Sequence, residues 1–129
     1  DRVMRQIVKT DKAPLPIGPY SQAVKANGML YISGQIGINP ETGAIENESL
    51  EHEAHQVMKN LGAILMSEGL DFKDVVKCSV FIKDMNQFAR INAVYGLYFK
   101  DENAPARETV EVSNLPKFVQ VEISAIAAY

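Results

Sequence analysis

Two charged side chains near the end of the chain have types and spacing suited to chemistry. Arg107 begins an alternating segment that runs to Val112, and Glu122 lies in a second segment that runs from Val119 to about Ala127. Side chains alternate across a strand, so pairing of the two segments would put Arg107 and Glu122 on one sheet face. A guanidinium can hold a carboxylate by two parallel hydrogen bonds, and a carboxylate can accept a proton from water. From the residues alone, an arginine and a glutamate on one sheet face are more often a structural ion pair.

Hydrophobic periodicity predicts the elements that position this pair. Asn27-Gly28 is typical of a two-residue hairpin turn, and the second strand of that hairpin ends at Ser33-Gly34. Apolar residues at helical spacing predict two helices, with Ser49 as a candidate cap of the first. The predicted strands are residues 4–9, 22–26, 29–33, 75–83, 107–112 and 119–127, and the predicted helices are residues 49–68 and 86–99.

This order predicts an α+β fold: a single two-layer domain over residues 1–129, with a mixed β-sheet and two helices on one face. Each helix has one apolar stripe, and Asn92 falls inside the second stripe, which begins at Phe88. The polar residues expected on the opposite sheet face are Arg107, Thr109, Glu122, Ser33 and Tyr31. A mixed face of this kind must be covered or wet, and oligomerisation would cover it.

Composition narrows the function classes. The chain has 129 residues and a formal net charge of −3, which is unlike a general nucleic-acid binder with its basic face. It has no apolar run long enough to cross a bilayer and no signal-peptide pattern at its start, and the single cysteine, Cys78, fits a reducing compartment, so the sequence predicts a cytoplasmic protein. His52 and His55 lie three residues apart, but no third ligand is evident, so no metal site is predicted.

Six short motifs lie in order along nearly the whole chain. They are Gly18–Ala23, Ile32–Gln35, Val80–Asp84, Pro105–Arg107 followed by Val110–Val112, Leu115–Lys117 and Val121–Ile123. Together, at compatible spacing, they strongly resemble the RidA/YjgF family of imine deaminases. The resemblance implies a YjgF/chorismate-mutase-like fold and a homotrimer with three clefts, each built from two chains.

The resemblance also implies an activity. The family hydrolyses reactive 2-iminoacids such as 2-iminobutanoate and 2-iminopropanoate, formed from enamines that pyridoxal-phosphate dehydratases release, to 2-ketoacids and ammonia without a cofactor. The residues that match would have these roles: Arg107 would bind the substrate carboxylate and Glu122 would activate water, while Tyr20, Ser33, Gly34 and Asn92 would line the cleft. A neighbouring Arg107 should lower the pKa of Glu122 and weaken it as a base, unless the substrate carboxylate neutralises Arg107.

Two positions depart from the family pattern. Thr109 stands where many bacterial relatives have cysteine, and Glu108 stands where a small residue is common. Alternation predicts that Glu108 points to the helix-covered face or to an edge. Two alternatives to the deaminase remain open: a non-catalytic module in which Arg107 captures a small carboxylate metabolite, and an endoribonuclease-like translation inhibitor.

Overall fold

The computed structural model describes residues 4–129. Residues 1–3 lie outside the described residues, and they belong to the start of the sequence in which no signal-peptide pattern is predicted. Eight main elements follow one another along the chain. They are β1 (Gln6–Val8), β2 (Ala23–Ala26), β3 (Met29–Gln35), α1 (Leu50–Ser67), β4 (Val75–Ile82), α2 (Phe88–Tyr95), β5 (Ala106–Glu111) and β6 (Val121–Ala128). Single 3₁₀ turns precede β4, α2, β5 and β6.

The strands form one six-stranded sheet in the order β1-β2-β3-β6-β4-β5. β4 and β5 are parallel and the other neighbours are antiparallel, so the sheet is mixed. Both helices pack their apolar stripes into a core shared with the strands. The predicted α+β fold with two helices on one sheet face is therefore confirmed.

Local signals fix several elements as the sequence predicts. Asn27 and Gly28 have φ angles of 60° and 77°, as the tight turn between β2 and β3 requires. The Ser49 side chain accepts a hydrogen bond from the backbone N–H of His52 and caps α1. No helix within residues 4–129 has the length and apolar character needed to cross a membrane.

The pairing of the last two strands differs from the prediction. β5 and β6 do not pair, because β4 lies between them and pairs with both. Cys78 of β4 is opposite Arg107 and is fully buried, which places Arg107 on the helix-covered face. Phe81 of β4 is opposite Glu122, which places Glu122 on the open face. The prediction that both charges share a face within one chain is wrong.

Other side chains also differ from their predicted faces. A register shift between Val75 and Lys77 turns Val76 outward, to 45% exposure. Phe88, expected in the buried stripe, is the first residue of α2 and is 37% exposed. Glu53 of α1 is a buried carboxylate that accepts backbone hydrogen bonds from Gln120 and Val121 at 2.8 and 3.3 Å.

Candidate functional site

Glu122 lies in an open cleft of about 340 Å³, hereafter the Glu122 cleft. Its polar lining includes Tyr20, Gln22, Ser33 and the backbone of Gly34, and its apolar lining comes mainly from residues 14, 15, 17, 36 and 38. The loop before β2 supplies one part of the lining and the end of β3 supplies another. The structure thus brings four of the six predicted site residues together.

Gly34 allows the Glu122 carboxylate to lie directly against the β3 backbone. A Cβ atom at position 34 would lie 2.1 Å from Glu122 Oε2, far inside van der Waals contact. The β3–β6 register shifts between Ile32 and Gln35, so Ser33 and Gly34 have no Cα partners on β6. This irregularity and the missing side chain together make room for the carboxylate.

Glu122 is a half-buried carboxylate without a neutralising partner. Within residues 4–129 it forms no ion pair, and neither oxygen accepts a hydrogen bond. Burial raises the pKa of Glu122 above its ordinary value. The expected lowering of this pKa by Arg107 does not occur within one chain, because Arg107 lies on the other sheet face.

Tyr20 and Ser33 are tied to the backbone around them. The Tyr20 side chain is 49% exposed, and its hydroxyl accepts a long hydrogen bond of 3.4 Å from the backbone N–H of Ile17. The Ser33 hydroxyl donates to the carbonyl of Ser21 at 2.6 Å. Ser33 therefore fixes the cleft wall with its hydroxyl, and Tyr20 leaves one side of its ring open to solvent.

Arg107 lies in a second cleft of about 310 Å³, hereafter the Arg107 pocket, lined also by Asn92, Tyr95 and Phe99. Its Nη1 donates to Asn92 Oδ1 at 2.7 Å. The guanidinium carbon lies 4.7 Å from the centre of the Tyr95 ring and 5.6 Å from that of Phe88. Among the described residues no carboxylate lies within ion-pair distance of Arg107.

Tyr95 is a pocket residue that is absent from the predicted site residues. Its ring supports the guanidinium, burial raises the pKa of its hydroxyl, and that buried oxygen has no hydrogen-bond partner in the described part of the chain. The signal was present in the sequence: Phe88, Asn92 and Tyr95 are spaced four and three apart, so they lie on one helix face. That face is the one opposite Arg107.

The two departures from the family pattern lie on different sheet faces. Thr109 is on the same face as Arg107, and its buried hydroxyl oxygen has no partner within residues 4–129. Glu108 is opposite Ser79 and points to the open face, so the expected helix-covered face is wrong, while the alternative of an edge agrees with the position of β5 at the sheet edge. There the Glu108 carboxylate accepts a hydrogen bond from the Ser79 hydroxyl. It also forms an ion pair with Lys77, whose Nζ lies 3.0 Å from Glu108 Oε1.

The two histidines at a metal-compatible spacing have separate partners. His52 lies with Glu46 and Glu48, where one possible ligand atom from each falls within 4.8 Å of the others. His55 Nδ1 instead lies 2.8 Å from the Tyr98 hydroxyl oxygen. Within this cluster His52 Nε2 lies 2.9 Å from Glu46 Oε1, and neither histidine lines the Glu122 cleft or the Arg107 pocket.

Comparison with known proteins gives a consistent set of matches. The family model described as endoribonuclease L-PSP matches residues 10–129. A RutC family protein of Synechocystis is 51% identical over 95% of both chains. The mouse 2-iminobutanoate/2-iminopropanoate deaminase is 46% identical over 97% of this chain and 92% of its own. The crystal structure of Escherichia coli TdcF with bound serine has a TM-score of 0.90 and 42% identity, covering 96% of this chain and 98% of TdcF.

Proposed function

The chain belongs to the endoribonuclease L-PSP family, which confirms the predicted RidA/YjgF resemblance, and we propose that it is a RidA-type deaminase. The proposed reaction is hydrolysis of 2-iminoacids such as 2-iminobutanoate and 2-iminopropanoate to 2-ketoacids and ammonia. The deaminase name of the mouse relative supports this activity, and the serine bound to TdcF supports a small carboxylate ligand.

One observation carries the proposal: Arg107 is a partly buried cation that is held in place but not neutralised. Asn92 accepts one of its N–H groups, and the Tyr95 ring supports its plane. The remaining N–H groups can form the paired hydrogen bonds that a substrate carboxylate accepts. A site of this kind favours an anionic ligand over a neutral one.

Glu122 supplies the complementary group for catalysis. A carboxylate whose pKa is raised by burial is a stronger base than an exposed one. In the proposed step, Glu122 accepts a proton from water while the water oxygen forms a bond to the C=N carbon. The electrons of the C=N π bond move to nitrogen, which gives a carbinolamine. The same carboxyl group then returns the proton to nitrogen, the C–N bond breaks as the C=O bond forms, and Glu122 takes up the hydroxyl proton. That proton passes to the departing ammonia, so ammonium and the 2-ketoacid leave and the carboxylate is restored. The step uses no metal, since a protonated imine carbon is already electrophilic.

The proposal requires two copies of the chain at each site. Arg107 and Glu122 lie on opposite faces of one sheet, so a small substrate cannot reach both within one chain. We therefore place the Arg107 pocket of one copy against the Glu122 cleft of the next. A homotrimer with three such contacts, as the family resemblance implies, would give every chain the same pair of neighbours.

Semicarbazide competition tests the activity. A threonine dehydratase generates the iminoacid, and semicarbazide traps whatever is not hydrolysed first. We expect the wild-type protein to reduce semicarbazone formation and Arg107→Ala to leave it unchanged. Arg90→Ala is the matched control, because Arg90 is an exposed arginine already paired with Glu51 through two bonds of 2.7 Å. A wild-type protein that leaves the trapping rate unchanged would contradict the proposal.

A non-catalytic carboxylate-binding module is the second candidate, favoured by the serine bound to TdcF. Both candidates need Arg107, but only the enzyme needs Glu122. Calorimetric titration with a 2-ketoacid separates them: for the enzyme, Glu122→Gln should bind the ketoacid and fail to turn over the iminoacid. For the binding module, wild type and Glu122→Gln should both bind and neither should accelerate hydrolysis.

A further inference from the structure

Gln22 is a buried amide, 2% exposed, with an unusually complete set of hydrogen bonds to one loop. Its Oε1 accepts from the backbone N–H of Thr10 at 2.7 Å. Its Nε2 lies within donor distance of three carbonyl oxygens, those of Thr10 at 2.9 Å, Ala13 at 3.2 Å and Pro14 at 2.8 Å. One side chain therefore fixes both ends of the turn from Thr10 to Pro14.

This turn begins a longer loop, residues 10–20, which has few backbone hydrogen bonds and little packing of its own to stabilise it. Pro14, Pro16 and Pro19 have no backbone N–H, so the loop cannot form a continuous backbone ladder. The side chains of Leu15 and Ile17 are 60% and 58% exposed, so they contribute little packing against the core. The Gln22 amide replaces the donors that the prolines remove.

The 10–20 loop forms one wall of the Glu122 cleft through Leu15, Ile17 and Tyr20. The opposite wall is connected to the same anchor, because the backbone N–H of Ser33 donates to the carbonyl of Gln22 at 2.9 Å. Gln22 thus holds the loop with its side chain and the end of β3 with its backbone. A change in its side chain should move the first wall and leave the second in place.

The geometry points to Gln22 as the positioning residue that keeps the 10–20 loop closed against Glu122. This inference rests on the proposed deaminase function, in which Gln22 borders the cleft but has its side-chain amide bonded to the loop, and acts through Tyr20 and the apolar loop side chains. Its effect on Glu122 is to limit the access of water to the carboxylate.

The access of water connects Gln22 to the pH dependence of the reaction. Burial is the cause of the raised Glu122 pKa, and no charged group of the described chain contributes to it. Tyr20 is the only other titratable residue among those that line the cleft. From the neighbouring copy, the proposed assembly adds the Arg107 pocket, whose ionisable residues are Arg107, which the substrate carboxylate neutralises, and Tyr95. An opened loop should therefore return the pKa of Glu122 toward its ordinary value.

The test compares Gln22→Met, which keeps the length of the side chain and loses every hydrogen bond, with wild type. We expect kcat/KM to fall about 10- to 100-fold, because small misplacements in a site cost this much. We also expect the acid limb of the kcat profile to move to lower pH. The control is Asp71→Ala, which removes a loop-fixing side chain outside the cleft, the capping box of the turn before β4. It should leave both readouts unchanged.

Two further readouts do not depend on activity. Hydrogen exchange of the amides in residues 10–20 should become about tenfold faster or more in Gln22→Met, and a carboxyl NMR titration should show a lower Glu122 pKa. If wild type lacks deaminase activity, the proposed function fails, while these two readouts still decide the role of Gln22. Unchanged exchange and an unchanged pKa would overturn the inference, as would a faster loop with unchanged kcat/KM and acid limb.

Gln22 is buried, so a second variant is needed in case Gln22→Met does not fold. Gln22→Asn keeps the amide and is one methylene shorter, so it cannot reach Thr10 and Pro14 together. If Gln22→Met does not fold, Gln22→Asn should show the same three effects at smaller size. Wild-type behaviour of Gln22→Asn in all three would equally overturn the inference.

Discussion

Arg107 and Glu122 are fixed by opposite strategies. Arg107 is at an edge strand, where an amide oxygen and two aromatic rings orient its guanidinium without cancelling its charge. Glu122 lies on β6, inside the sheet, where burial against Gly34 holds it with no hydrogen bond from the described chain. Direct contacts hold the Arg107 guanidinium, whereas the Glu122 carboxylate occupies the room that the missing side chain of Gly34 leaves.

The difference explains why each charge is available for chemistry. An arginine keeps its charge at any physiological pH, so it needs orientation and nothing else. A carboxylate works as a base only when its pKa is suitable, and removal from water is what raises that pKa. Within one chain the two groups do not neutralise each other, because the sheet separates them. Changes on the Arg107 side should therefore affect binding, and changes on the Glu122 side should affect chemistry and pH dependence.

The largest expected effect is that of Arg107→Ala. Loss of two charge-assisted hydrogen bonds should lower kcat/KM by roughly 10²- to 10³-fold, at ~1.5–2 kcal/mol per bond. Arg107→Lys should recover only part of the loss, because an ammonium keeps the charge without the planar fork. Steady-state semicarbazide competition measures both variants. Full activity of Arg107→Lys would show that charge alone suffices and that orientation by Asn92 and Tyr95 is unimportant.

Gly34→Ala tests the claim that the Glu122 carboxylate depends on the absence of a side chain at position 34. The new Cβ must displace the carboxylate, so we expect about 10²-fold lower kcat with little change in ligand binding. Gly18→Ala is the control, since its Cβ would make an ordinary 3.6 Å contact with the Tyr20 ring. Stopped-flow measurement of kcat and calorimetry of ketoacid binding separate the two effects. Equal loss in both glycine variants would contradict the special role of position 34.

The pH profile tests the strategy on the Glu122 side. Glu122 is active when deprotonated and its pKa is raised, so kcat should fall with decreasing pH at a point above the ordinary glutamate range of about 4.3. Glu122→Gln should show a low rate and no acid limb. An acid limb that survives in Glu122→Gln would remove it as the base.

Glu53→Gln is the control for that profile, because Glu53 is a second buried carboxyl with a raised pKa and lies outside the cleft. Its substitution should leave the acid limb of kcat in place. It should instead change stability: a raised folded pKa means that the stability from Glu53 is present at low pH and lost as pH rises through that pKa. Glu53→Gln should therefore flatten the dependence of the free energy of unfolding on pH.

The smallest expected effect is on the aromatic support of Arg107. Tyr95→Leu removes the ring beneath the guanidinium and should raise KM about fivefold, for ~1 kcal/mol of lost cation–π interaction. Tyr95→Phe keeps the ring and should retain KM near the wild-type value. Thermal denaturation of both variants separates loss of packing from loss of support. Equal KM values in the two variants would show that Asn92 and Phe88 orient Arg107 without the Tyr95 ring.

The predictable parts of the fold are those set by neighbouring residues. The turn at Asn27-Gly28, the cap at Ser49 and the period of α1 each depend on a few adjacent positions, and the sequence predicts all three. The order of the strands depends on contacts between distant segments. β5 follows α2 and reaches the sheet edge in parallel with β4, so β5 and β6 are not neighbours although they are consecutive strands.

That one topological fact decides what could be predicted of the site. Alternation along β5 correctly separates Arg107 from Val110, and alternation along β6 correctly separates Glu122 from Val121. β5 and β6 each pair with β4, so the register of both pairings decides which side chains of β5 and β6 share a face. No local sequence pattern determines those two registers. The structural roles of Gln22 and Glu53 could not be predicted for the same reason, because their hydrogen-bond partners are backbone groups 8 to 68 residues away in the chain.

The most direct test of the shared site is complementation between two inactive variants. Arg107→Ala and Glu122→Gln chains are co-expressed with different tags, and oligomers that contain both are purified and assayed by semicarbazide competition. In a trimer that contains both variants, one of the three sites between copies has an intact Arg107 and an intact Glu122, so about a third of wild-type activity should return. If mixed oligomers form and remain as inactive as either parent, the two residues do not act from different chains and the account is wrong.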